Sequence, residues 1–220
     1  MLFRSEPMRL SLIGMSGVGK SHWARRMESL GYRRIICDDW IAEQLGPLIN
    51  PDEKSTLELA SWMGRPYQSG YAEAQSKYLA FETEVITNIC AELEEKTKTD
   101  ARVIVDTTGS LIYLKPQLIR KLQDLTHTVY LKLADSNLQT HYQTFLKDPK
   151  PVIWGDHYIP MPGEDREASL ARCYCELLTF RDKEYRRISD CTLDYSFHHN
   201  PQTSPKQMLE AVRKEIKNSS

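Results

Sequence analysis

The stretch that most limits the architecture of this 220-residue chain is Gly14-Met15-Ser16-Gly17-Val18-Gly19-Lys20-Ser21. It follows an apolar run, "RLSLI", and precedes a segment of helical spacing in which Trp23, Met27 and Leu30 recur before Gly31. Glycines at these positions let a turn curl so that consecutive backbone N–H groups point inward, and the next helix adds its positive end. Such a concavity suits an anion. A plain glycine-rich turn with an incidental lysine is the alternative, and the strand-before, helix-after context argues against it.

The pattern satisfies G-x-x-x-x-G-K-[ST], the phosphate-binding loop or P-loop. Gly14, Ser16, Gly17, Val18, Gly19, Lys20, Ser21 and His22 are the candidate nucleotide-binding residues. Lys20 would reach the β- and γ-phosphates of ATP, and the Ser21 hydroxyl would bind Mg²⁺. Further along, "RRIIC", "RVIVD", "TVYLKL" and "CTLDY" join "RLSLIG" as predicted strands at 33–37, 102–106, 128–133, 191–195 and 9–14. Several lack polar alternation, as strands covered on both faces do. Helical stripes lie between them: Tyr71, Ala74, Tyr78, Glu82, Val85, Ile89 and Leu93; Leu118, Ile119 and Leu122 after Pro116; Ala171, Tyr174, Leu178 and Tyr185; and Met208, Leu209, Val212 and Ile216. Alternation of strand and helix predicts an α/β fold with a parallel sheet.

Two stretches break the rhythm. Residues 46–70 and 147–165 are rich in proline and glycine, and loops of that length usually cover a site or are disordered. The second holds Val152, Ile153, Trp154, Tyr158 and Ile159, which disordered linkers avoid, so a mobile lid is expected there.

Carboxylates at strand ends supply the next candidates. Asp38 and Asp39 close the second predicted strand, at the edge where open α/β sheets bind ligands. Asp38 there would take the proton of an attacking hydroxyl, with a helix N-cap as the competing reading for either aspartate. Asp106, ending "VIVD", is placed to orient Mg²⁺ together with Ser21 and Asp39.

In order and spacing the chain resembles the shikimate kinase family over nearly its whole length. "GMSGVGKS" stands at that family's phosphate loop, "IICDDWIAEQLG" at its substrate-binding aspartate, "DTTGSL" at its glycine-rich stretch and "LLTFRDKEYRRISDCTLDY" at its late helix and last strand. "HHNPQ" resembles the loop bordering adenine. The resemblance implies a three-layer P-loop kinase fold with a five-stranded parallel sheet. It also implies a helical substrate-binding insertion at 47–95 and a lid at 147–165, all within one domain over 1–220. On the sites, it implies that Asp38, Gly109 and Arg181 bind the substrate, that Asn200 and Pro201 border the nucleotide, and that Lys150 is a lid cation.

The departures fall on the acceptor side. Ile36 replaces the first aspartate of the family's D-x-D, Leu79 its carboxylate-gripping arginine, and Thr107-Thr108-Gly109-Ser110 its triple glycine. Lys150 stands for a lid arginine, and His141 and Tyr142 occupy the adenine-stacking arginine region. Losing one arginine of a bidentate clamp weakens binding of shikimate. Arg65 is the candidate replacement.

The expected activity is transfer of the ATP γ-phosphate to a hydroxyl of a small molecule. Shikimate itself, a nucleoside, sugar or polynucleotide acceptor, and a nucleotide-binding regulator without turnover remain as alternatives. A net charge of −1 provides no basic field for nucleic acid or membranes, and the five cysteines lack zinc-site spacing. No apolar run approaches a bilayer span, and "MLFRSEP" lacks a signal-peptide apolar region. A monomeric cytoplasmic chain is expected.

Overall fold

The computed structural model describes residues 8–46, 56–95, 101–134, 138–147 and 150–219. Parts of the two expected covering segments, 47–55 and 148–149, therefore lie outside the described residues. Strands β1 (Leu10–Ile13), β2 (Arg33–Ile36), β3 (Val103–Asp106), β4 (His127–Leu131) and β5 (Cys191–Leu193) form one sheet in the order β2-β3-β1-β4-β5. Every pairing is parallel, with Leu12 opposite Asp106 on one side and Val129 on the other. The strand carrying the P-loop thus occupies the centre.

All four residues of β1 and of β3 are buried, which explains the missing alternation. Successive residues feed two cores. Leu10, Leu12, Ile104, Val129 and Leu131 join Trp23, Met27, Met208 and Val212 on one face. That face is covered by α1 (Lys20–Met27) and α9 (Pro205–Ser219). Ile13, Ile35, Val103, Val105 and Tyr130 join the other core. Its cover is α2 (Cys37–Leu45), α3 (Thr56–Met63), α4 (Tyr71–Glu95), α5 (Pro116–Leu125), α6 (Leu138–Lys147) and α7 (Arg166–Ile188). The last short helix, α8 (Tyr195–His198), follows β5. The three-layer α/β architecture is as expected.

Local sequence explains several boundaries. Pro116 opens α5 where its missing N–H costs nothing. The Asp165 side chain accepts the Ala168 N–H at 2.7 Å and caps α7. A one-turn 3₁₀ segment, Glu28–Leu30, extends α1 and ends on Gly31 at φ 79°, the left-handed geometry glycine favours.

Helix α3 arises where a loop was expected, and α6 where no element was predicted. Leu59 and Met63 bury one side of α3, and Tyr142 and Phe145 one side of α6. β2 also ends earlier than expected, because Ile36 passes directly into α2 without a side-chain cap. Asp38 and Asp39 therefore sit in the first turn of α2, as neither a strand end nor an N-cap. That turn still favours their charge, through the positive end of the helix.

Candidate active site

The cradle between β1 and α1 requires glycine at two places in particular. At Gly14, φ is +142° and a Cβ would lie 2.8 Å from the Leu131 carbonyl oxygen. At Gly19, φ is +104°, and the residue precedes Lys20 with no side chain capping the helix. The first turn of α1 is thus left without a side-chain cap at the cleft wall, as an anion-binding helix start requires.

Lys20 is 7% exposed, and its Nζ donates to the carbonyls of Gly14 (2.9 Å) and Met15 (3.0 Å). Burial holds its pKa below the ordinary lysine value, while Asp106 and then Asp38 pull it back up. The ammonium faces carboxylates from two neighbouring elements. Of these, Asp106 is buried at the end of β3, and desolvation raises its pKa against the lowering effect of a hydrogen bond with Ser21. Its other oxygen, Oδ2, is buried with no partner.

Asp38 shows a double environment. Its side chain is open to solvent by area, but only within a cleft whose walls surround it; desolvation there raises its pKa and Lys20 opposes the rise. A carboxylate so placed is more basic than a free one.

Beside it, the segment after β3 is clamped by a buried glutamate. Glu82 of α4 is fully buried, accepts a hydrogen bond from Ser110 Oγ at 2.6 Å and another from Thr108 Oγ1, and has its pKa raised to about 7 by desolvation. Between these hydroxyls, Gly109 presents no side chain. A Cβ there would lie 3.5 Å from both Ser16 N and Arg181 Nη1, and the Gly109 carbonyl accepts the Tyr185 hydroxyl at 2.6 Å.

Arg181 of α7 is 5% exposed, makes no ion pair with any described carboxylate, and donates from Nη2 to the Ile153 carbonyl at 2.7 Å. Its Nε is buried without a partner. A buried guanidinium with no counter-ion is costly unless an anion completes it.

Ile153 belongs to the expected lid. Its inner part is fastened to the body: the Tyr71 hydroxyl donates toward the Val152 carbonyl (2.9 Å) and accepts from Trp154 N–H (2.8 Å), and Gly155 N–H donates to Gln75 Oε1 (2.9 Å). Trp154 is 1% exposed, whereas Ile159 is 63% exposed. In this structure the cover is docked along 152–155.

These parts surround one cavity of about 620 Å³. Of the residues expected at the site, Ser16, Gly17, Gly19, Lys20, Ser21, His22, Asp38, Asp39, Asp106, Gly109, Lys150 and Arg181 line it. Gly14 and Val18 do not; Gly14 presses against β4, and the Val18 side chain fills the core beneath α1.

Three more of the expected residues lie outside this lining. Arg65 stays outside the lining, with its guanidinium 4.3 Å from the centre of the Phe145 ring. Asn200 and Pro201 also stay outside. They form a turn in which Asn200 Oδ1 accepts Gln202 N–H at 2.9 Å. Tyr195 and His199 line the cavity in their place. Glu82 was not among the expected site residues, although a charged residue within the apolar stripe of α4 was the available signal.

A model of the AAA domain family matches residues 10–157. Shikimate kinase from Acinetobacter baumannii, solved in complex with shikimate, superposes with a TM-score of 0.60 at 19% identity, over 99% of this chain and 97% of that one. Shikimate kinase from Aquifex aeolicus gives 0.52 at 16% identity, over 96% and 95%. Dephospho-CoA kinase from Campylobacter jejuni gives 0.52 at 12%, over 96% and 98%. A search of curated proteins found no match. The central P-loop strand, the sheet order and the family match together place this chain in the AAA domain family, on the P-loop fold that shikimate kinases share.

Proposed function

We propose that the chain is an ATP-dependent phosphotransferase that moves the γ-phosphate to a hydroxyl of a small molecule. One observation carries the reading: a single cavity is lined both by the phosphate cradle with Lys20 and by Asp38 and Arg181. Donor and acceptor could therefore meet within one enclosed volume.

The cradle residues hold the triphosphate and Lys20 spreads charge on the transferring group. Asp38 accepts the proton of the acceptor hydroxyl, helped by the basicity its surroundings confer. Arg181 binds an anionic or strongly polar part of the acceptor. Lys150 lines the same cavity and adds a second cation. The docked segment 152–155 excludes water, which limits wasteful hydrolysis. Residues 47–95 and 147–165 serve as acceptor-binding insertion and lid.

The fit for Mg²⁺ is good at Ser21 and Asp106, where a hydroxyl meets a carboxylate whose second oxygen lacks a partner, with Asp39 lining the same cavity. Bound there, the ion would neutralise phosphate charge and orient the triphosphate.

Leu79, which packs against the core, leaves Arg181 as the buried cation of the acceptor end. An acceptor with a single anionic group suits it better than one needing a two-arginine clamp. The test is ADP release from ATP with Mg²⁺ across shikimate, sugars, nucleosides and short oligonucleotides. Stimulation by one acceptor, lost in Asp38→Asn, supports the reading. Tight ATP binding with no acceptor-dependent turnover would mark a nucleotide-binding regulator instead.

A further inference from the structure

The sheet order separates the two ends of the cleft. α2, with Asp38, follows the edge strand β2; α8 follows the opposite edge strand β5; the P-loop lies between them on β1. With phosphates at the centre and the acceptor beside Asp38, the base of a nucleotide falls toward β5.

What waits there is unusual in its chemistry. Thr140, His141 and Thr144 of α6, Tyr195 and His199 around α8, and His22 of α1 all line the cavity. His199 lies near enough to His22 and His141 to influence the charge of both rings. The His199 ring is itself backed by Tyr195, with centroids 4.1 Å apart and planes 33° from parallel. The short helix beneath is anchored on both sides: Trp23 Nε1 donates to the His198 carbonyl (3.0 Å), and His198 Nε2 lies 2.8 Å from the Lys132 carbonyl. His199 thus lines the cavity beside an anchored helix, with the Tyr195 ring packed against it at a tilt.

Each polar side chain named here works as donor or acceptor. A neutral imidazole carries one of each and exchanges them by tautomerism, and hydroxyls rotate. None is a carboxylate, amide or guanidinium, the groups that impose a fixed pattern on a base edge. Among the described residues no cluster of three or more histidines, cysteines or carboxylates is arranged to hold a metal ion, so the three imidazoles are not read as a metal site.

We propose that this end of the cleft is a nucleobase site in which the base stacks on His199, and that it takes purine and pyrimidine nucleoside triphosphates alike. The inference rests on the nucleotide-binding part of the function proposed above and extends it from ATP to nucleoside triphosphates as a class. Stacking tolerates any base because every base has a π-face.

Calorimetric titration of the full-length chain with ATP, GTP, CTP, UTP and inorganic tripolyphosphate, each with Mg²⁺, tests it. The four nucleotides should bind within about tenfold of one another. His199→Ala should weaken all four about tenfold and leave tripolyphosphate unchanged, since the phosphate cradle is intact. His199→Phe should restore the loss. His199 is exposed, so these variants leave the core untouched. ATP binding more than tenfold tighter than the rest, or an equal loss of tripolyphosphate binding in His199→Ala, overturns the inference while leaving the phosphotransferase standing. Binding of no nucleotide overturns both.

Discussion

Ser110 Oγ donates to Glu82 Oε2 at 2.6 Å, tying the loop after β3 to the long helix α4 at the acceptor end of the cleft. The carboxyl carries no ion-paired cation among the described residues, and hydroxyls hold it. Its pKa of about 7 lies above the ordinary glutamate value of 4.5, chiefly through desolvation. The folded chain therefore keeps a proton there that the unfolded chain releases. This contribution is present below pH 4.5 and is lost as pH rises to 7, a swing on the order of 3 kcal/mol. Glu82→Gln should flatten the decline in stability between pH 5 and pH 8. Urea unfolding at both pH values measures it, and an unchanged decline would contradict the assignment.

The two glycines of the cradle should respond differently to alanine. Gly14→Ala meets the Leu131 carbonyl as well as an unfavourable φ, so a loss of about 3 kcal/mol is expected. Gly17, at φ +78° with nothing within 4 Å of an added Cβ, carries only the backbone strain, about 1 kcal/mol. Thermal melts of both variants report the difference directly. Equal losses would mean that β4 yields to the added methyl.

Lys20 separates stability from chemistry. Its ammonium is buried and bonded only to carbonyls, so Lys20→Met removes a desolvation cost while filling the same space. The melting temperature should hold or rise, while acceptor-dependent ADP release falls at least about a hundredfold. Near-normal turnover in that variant would falsify the role of Lys20.

One phenol supplies two of the hydrogen bonds that fasten the cover. Tyr71→Phe strips the partner from Trp154 N–H and from the Val152 carbonyl, a loss of about 1–3 kcal/mol concentrated on that segment. Limited proteolysis should cut within 152–163 about tenfold faster than in the parent chain. ATP hydrolysis without acceptor should rise as water gains entry. A cleavage pattern like the parent's would show that core packing of Trp154 alone holds the segment.

Much of the fold is legible in the order of the amino acids, for identifiable reasons. Strands covered on both faces need apolar runs, and each of the five predicted runs overlaps a strand of the sheet, although β4 begins one residue earlier, at His127. The glycine pattern at 14–19 is equally plain, because φ angles of +142°, +78° and +104° are closed to most side chains. Boundaries are less so. "RRIIC" overruns β2 by one residue, since no proline, glycine or cap residue announces the passage from Ile36 into α2.

The chain's local chemistry determined that a phosphate cradle would form, and that it would lie between a buried strand and a helix. Which distant groups face that cradle depended on folding in three dimensions. Asp106 and Arg181 could be nominated from spacing and resemblance, but Glu82 gained its role only when α4 laid it against Thr108 and Ser110. His199 lines the cavity next to a short helix that Trp23 and Lys132 anchor from distant parts of the chain. Backbone preference is a property of neighbouring residues, whereas desolvation and contact between remote side chains exist only once the sheet has brought them together.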